Sequence, residues 1–172
     1  MSTLAIERSW GQPNRHTFLI APIKKILAEE LTEGTWLDPF SGFNSPATIT
    51  NDINPEAPAM FHEDALVWLK GQSSEGVDGI LYDPPYSFYQ AKTVYENFGS
   101  DKMSMNMGYW AACKDEIARI IKPGGKVLCF GWNSMGISKG RGFEMVRIIL
   151  IPHGGSRNDT IVTIERKLLG AR

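Results

Sequence analysis

Asp83-Pro84-Pro85-Tyr86 is the stretch whose residue types and spacing best suit chemistry. Each proline fixes its own φ and removes a backbone N–H, so the carbonyls here face outward rather than into a strand ladder. The Asp83 carboxylate and the Pro84 carbonyl can then accept two hydrogen bonds from one amino group. Tyr86 is placed to lie over the ring that bears the amine, a contact worth about 1–3 kcal/mol for a nucleobase. A proline-stiffened turn with a surface tyrosine is the plainer reading of the same residues. Two further acids, Asp38 and Asp52, share the setting of Asp83, because each closes an apolar, β-rich run.

The elements that position these acids follow from periodicity. Residues 18–31 carry apolar side chains at Phe18, Ile20, Ile23, Ile26, Leu27 and Leu31, one face of a helix, which Gly34 ends. Strands are predicted over 35–37 and 47–51, a helix over 62–69, a loop over 71–76 and a buried strand over 77–82. Residues 87–107 are polar and rich in Tyr, Asn, Gly, Ser and Met, a composition that suits a partly helical segment or a lid. A helix over 109–121 is stopped by Lys122-Pro123-Gly124-Gly125. A strand over 126–130, a glycine-rich loop over 131–142 and strands over 143–151 and 160–165 complete the chain, the last two as an antiparallel hairpin.

Strands alternating with helices predict a three-layer α/β fold with a mostly parallel sheet. Ligands of such sheets sit beyond the carboxyl ends of the strands, where Asp38, Asp52 and Asp83 all fall. Only nine residues separate Asp38 from Thr48. A parallel crossover normally takes a dozen or more, so the helix expected there is replaced by a loop over 39–47.

The chain has 172 residues, enough for one domain with a real core. With 42% hydrophobic and 22% charged residues it reads as a globular protein. Its formal net charge of −1 excludes a global basic field, so any nucleic-acid contact needs a local patch. Cys113 and Cys129 lack the spacing of a disulfide framework or a zinc site, and no metal is expected. No apolar run suits a membrane span and no signal segment opens the chain, so the expected location is the cytoplasm.

Read in order, Trp36-Leu37-Asp38-Pro39-Phe40-Ser41-Gly42, Asn51-Asp52-Ile53-Asn54-Pro55, Glu63-Asp64-Ala65 and Asp83-Pro84-Pro85-Tyr86 form a series. It resembles the S-adenosylmethionine-dependent amino-methyltransferases that modify exocyclic amines of DNA bases. Residues 14–23, the turn at 121–125 and the terminal hairpin extend the resemblance. It implies a Rossmann-like methyltransferase fold forming one catalytic domain over residues 1–172, without a separate target-recognition domain. It also implies S-adenosylmethionine as cofactor and DNA as partner, with a second copy or a partner subunit as a source of further recognition surface.

By the same resemblance, Asp38, Pro39, Phe40, Ser41 and Gly42 surround the cofactor's methionine portion, flanked by Phe18. Asp52 faces its ribose, Asn54 beside it belongs to the cofactor-binding set, and Asp64 meets its adenine. A turn before Pro55 is the rival reading of Asp52, and a helix N-terminal acid that of Asp64. Asp83, Pro84, Pro85 and Tyr86 carry catalysis. Tyr86, Phe88, Trp132, Lys139 and Arg141 contact the substrate, although Lys139 and Arg141 equally suit a solvated loop, as do His153 and Arg157 in the hairpin. Adenine N6 is the leading target, with cytosine N4 or RNA adenine as alternatives. A degenerate, non-catalytic fold that binds nucleic acid or a partner is the alternative of another class.

Overall fold

In the computed structural model, residues 3–31, 33–85, 107–155 and 157–170 are described below. Tyr86 and Phe88, and the expected lid apart from Met107, lie outside the described residues.

The strands are β1 (Ala5–Arg8), β2 (Trp36–Asp38), β3 (Ile49–Thr50), β4 (Val77–Tyr82), β5 (Ile121–Gly131), β6 (Phe143–Ile151) and β7 (Thr160–Lys167). They form one sheet in the order β1-β6-β7-β5-β4-β2-β3. All neighbours are parallel except β7, which runs antiparallel to both β5 and β6. The expected mostly parallel sheet with a closing hairpin is therefore present.

Period-2 alternation sends side chains of the central strands to two separate cores. Ile80 and Tyr82 of β4, with Val127 and Cys129 of β5, pack beneath α2 (Ala65–Lys70) and α3 (Met107–Ile120). Leu81, Leu128 and Phe130 point the other way, onto Ile23, Ile26 and Leu27 of α1 (Ala21–Glu30). Each such buried aliphatic side chain contributes about 1.5–3 kcal/mol relative to exposure. The helices thus lie on both faces, giving three layers.

Several boundaries depart from expectation, each for a local reason. α1 starts at Ala21 rather than residue 18, with Pro22 in its first turn and a tight turn over Thr17–Leu19 before it. α2 starts at Ala65 rather than residue 62, because Asp64 caps it. β3 is only Ile49–Thr50, since Asn51 turns its amide to the strand-end loops and forms an isolated bridge to Phe61. Residues 122–125 are not a free turn but part of β5, where the register against β4 shifts between Val77 and Gly79. β1, not expected at all, adds to the β6 edge with every residue exposed. Arg147 secures it, donating to Glu7 at 2.9 and 3.1 Å and to Glu30 at 2.9 Å.

No helix separates β2 from β3, as the spacing required, and the β5–β6 connection holds only a short turn over Lys139–Arg141. Both openings lie at the carboxyl ends of the parallel strands. Among the described residues no helix is long and apolar enough to cross a membrane, and no cluster of three metal-ligating side chains occurs.

Candidate active site

Asp38 closes β2 and is fully buried. Its carboxylate accepts hydrogen bonds from the Phe40 N–H at 2.9 Å and the Ser45 hydroxyl at 2.6 Å, so the 39–47 loop folds back over its own acid. Burial pushes the Asp38 carboxyl up to about 8. The two hydrogen bonds oppose the rise, and the charges of Asp83 and Asp52 add to it.

Asp52 bridges two loops, accepting from the Gly42 N–H at 2.7 Å and the Asn54 N–H at 2.9 Å. Asn51 was not singled out from sequence. Fully buried, it donates to the Pro39 and Glu63 carbonyls at 3.3 and 3.0 Å and accepts from the Glu63 N–H at 3.0 Å. The loop after β2 and the connection between β3 and α2 are thereby tied to one amide. The only sequence signal was a polar residue at the end of an apolar run.

Asp64 stands at the start of α2. One carboxylate oxygen accepts from the Leu66 and Val67 N–H groups at 3.0 and 3.1 Å, capping α2, and the other accepts from the Tyr109 hydroxyl at 2.9 Å. Phe18 is 6% exposed and sets its ring edge-on to Phe130 at 5.3 Å, a core position under β5.

Asp83, Pro84 and Pro85 follow β4 and are half-buried. Beside them opens a cleft of about 210 Å³, walled by Pro84, Pro85, Trp110, Lys114, Trp132 and Asn133. Phe40, from the β2 loop, meets Tyr82 and Trp110 with ring centres 5.8 and 6.0 Å apart and so joins the two regions. The far wall is pinned. Lys114 donates to the Gly136 carbonyl at 2.6 Å, and the buried Glu165 carboxylate accepts from the Ile137 and Ser138 N–H groups. Burial raises the Glu165 carboxyl above its ordinary range, against those two bonds. Gly136 has φ +54°, and a Cβ there would stand 2.2 Å from Glu165 Oε2, so only glycine fits.

Of the expected substrate contacts, Trp132 reaches this cleft and is 41% exposed. Arg141 pairs with Asp115 at 2.6 Å and donates to the Ile137 carbonyl at 3.2 Å, bracing the loop against α3. Lys139 sits exposed in the turn beside it.

No sequence-family model and no curated protein matches this chain. Solved structures do. A Burkholderia thailandensis 1,6-didemethyltoxoflavin-N1-methyltransferase, with 1,6-didemethyltoxoflavin and S-adenosylhomocysteine bound, superposes with a TM-score of 0.61 at 13% identity, covering 86% of this chain and 77% of that one. The N-methyltransferase NodS from Bradyrhizobium japonicum gives 0.58 at 12% identity, covering 85% and 94%. TrmN from Thermus thermophilus gives 0.56 at 16% identity, covering 87% of this chain and 49% of that one. The fold is that of the Rossmann-like methyltransferases.

Within this methyltransferase fold the strand-end cradle has three features of a receiving site. The Ser41 hydroxyl is buried with no hydrogen-bond partner among the described residues. Gly42 has φ +53°, and a Cβ built on it would meet none of the described residues within 4 Å. Asp38 is a buried acid that two neighbouring acids further disfavour as an anion.

Proposed function

We propose that this chain transfers a methyl group from S-adenosylmethionine to the exocyclic amine of a nucleobase, adenine N6 in DNA. The observation that carries the reading is the placement of Asp83-Pro84-Pro85 at the end of β4, between the Asp38 cradle and the aromatic cleft. When bound, S-adenosylmethionine supplies an electrophilic methyl on a sulfonium that departs as a neutral thioether. Asp38 is suited to that cofactor, because a cation beside it relieves the mutual repulsion of the strand-end acids. The Ser41 hydroxyl and the backbone at Gly42 offer the polar contacts and close approach it needs.

The substrate amine is a poor nucleophile, since its lone pair is delocalised into the base. Hydrogen bonds from its two N–H groups to the Asp83 carboxylate and the Pro84 carbonyl draw the nitrogen toward a tetrahedral shape and free the lone pair. The nitrogen held there would accept the methyl group that the bound cofactor supplies, the sulfonium leaving as its thioether, and the surplus proton would pass to water. This is positioning and electrostatic stabilisation, without a covalent enzyme intermediate. A base in a duplex must leave the stack to reach the cleft.

Methyl transfer from labelled cofactor to DNA, followed by nucleoside analysis, tests the reading. Labelled N6-methyladenine is expected, lost in Asp83→Ala with the circular dichroism spectrum unchanged. Label in cytosine, or in RNA alone, would overturn the substrate assignment.

A further inference from the structure

A second cleft opens beside the first, and Trp132 lines both. One bank is the N-terminal stretch with Asn14, Arg15 and Thr17; the other is the β6–β7 connection with Arg157 and Asn158. The base of this cleft is built rather than incidental. His153, 9% exposed, meets the Gly11 carbonyl through Nδ1 at 2.7 Å and the Thr160 hydroxyl through Nε2 at 2.8 Å. The Gly11 N–H donates to the Pro152 carbonyl at 3.2 Å, so the two banks are tied at their root. A Cβ on Gly11 would lie 2.9 Å from Ile20, which leaves glycine as the residue that lets the segments close.

Among the described residues, the lining of this cleft holds two arginines and a histidine and no carboxylate, in a chain whose formal net charge is −1. Asp159, in the same connection, accepts from the His153 backbone N–H at 3.4 Å. Guanidinium forks match phosphate oxygens, and amides and hydroxyls such as those of Asn14, Asn158 and Thr17 complete such contacts. The half-exposed indole of Trp132 offers a stacking face where the two clefts join.

We infer that the second cleft seats the phosphodiester backbone of a nucleic-acid strand next to the nucleotide in the first cleft. Arg15 and Arg157 contact its phosphates and Trp132 stacks on a neighbouring base. The inference rests on the proposed nucleobase reading for the occupant of the first cleft, but strand binding is measurable without turnover. It also gives a nearly neutral chain the local patch that nucleic-acid contact requires.

The test is binding of a fluorescent 12-nucleotide single-stranded DNA across a salt series, with no cofactor present, and with RNA and duplex DNA of the same sequence as separate arms. Whichever polymer shows the salt-dependent binding names the partner. Arg157→Ala is expected to reduce the slope of log K against log salt by about 0.7–0.9, one phosphate's worth, and Arg15→Ala to do the same. Trp132→Ala should weaken binding about tenfold with little change in slope. Lys25→Ala, on the solvent face of α1, is the charge control. An unchanged slope and affinity in the Arg15→Ala/Arg157→Ala variant, equal losses in Lys25→Ala, or no binding in any arm would overturn the inference. Base methylation by a double arginine variant that binds as wild type would sink this inference and leave the methylation reading standing. Arginine-dependent binding with no methylated base would do the reverse.

Discussion

At the scale of single residues, four acids that look alike in sequence meet four fates. Asp38 is buried beneath its own loop, Asp52 bridges two loops, Asp64 caps a helix and Asp83 stands half-buried between β4 and the prolines that wall a cleft. Their positions at strand or helix ends were legible, because apolar runs stop at them. Their partners were not. Asp64 meets a tyrosine 45 residues away, and Phe18 meets Phe130, pairings that only the folded chain defines.

Asp38 also predicts a pH dependence. Its folded carboxyl holds a proton up to about 8, whereas an unfolded one releases it near 4. The stability this contributes is fully present below about pH 4 and is lost as pH rises toward 8. Urea unfolding at pH 5 and pH 8 should show the wild type losing more than about 1.4 kcal/mol relative to Asp38→Asn over that interval. Equal pH dependence in both proteins would refute the buried, protonated acid.

At the scale of elements, β4 and β6 were legible to the residue, because long apolar runs bounded by loops have few alternatives. β1 was not, since its four residues bury no face and it is held by main-chain pairing and Arg147. Nor was the extension of β5 through Pro123, because Lys-Pro-Gly-Gly reads as a stop and the bulge that admits it is a property of the pairing with β4. Gly79 shows how tightly these elements fit. A Cβ there would stand 2.4 Å from the Trp36 ring, so Gly79→Ala should lower stability by about 2 kcal/mol or more in denaturant unfolding. The cleft wall makes the opposite prediction. Ser138 is held at φ +104°, a conformation that costs a non-glycine residue about 1–3 kcal/mol. Ser138→Gly should therefore raise the unfolding free energy by about 1 kcal/mol, net of the flexibility it adds to the unfolded chain.

At the scale of the molecule, the alternation of strands and helices was enough to read a three-layer α/β fold with a terminal hairpin. The two openings at the carboxyl ends of the strands were legible only in part. The nine-residue spacing foretold the loop between β2 and β3, while the pinning of the 132–142 connection by Glu165 and Lys114 depends on groups distant in sequence. The result is a sheet with an acidic cradle at one opening and an aromatic cleft at the other, joined by Phe40. The central claim is a division of labour across that junction, with Asp38 serving the cofactor and Asp83 the substrate amine. Calorimetric titration of S-adenosylmethionine into the wild type, Asp38→Asn and Asp83→Ala tests it most directly. The account predicts binding heat for the wild type, affinity within about twofold of it for Asp83→Ala, and a loss of at least about tenfold, roughly 1.4 kcal/mol, for Asp38→Asn. Absence of heat with the wild type, with or without DNA, or equal losses in both variants, would contradict it.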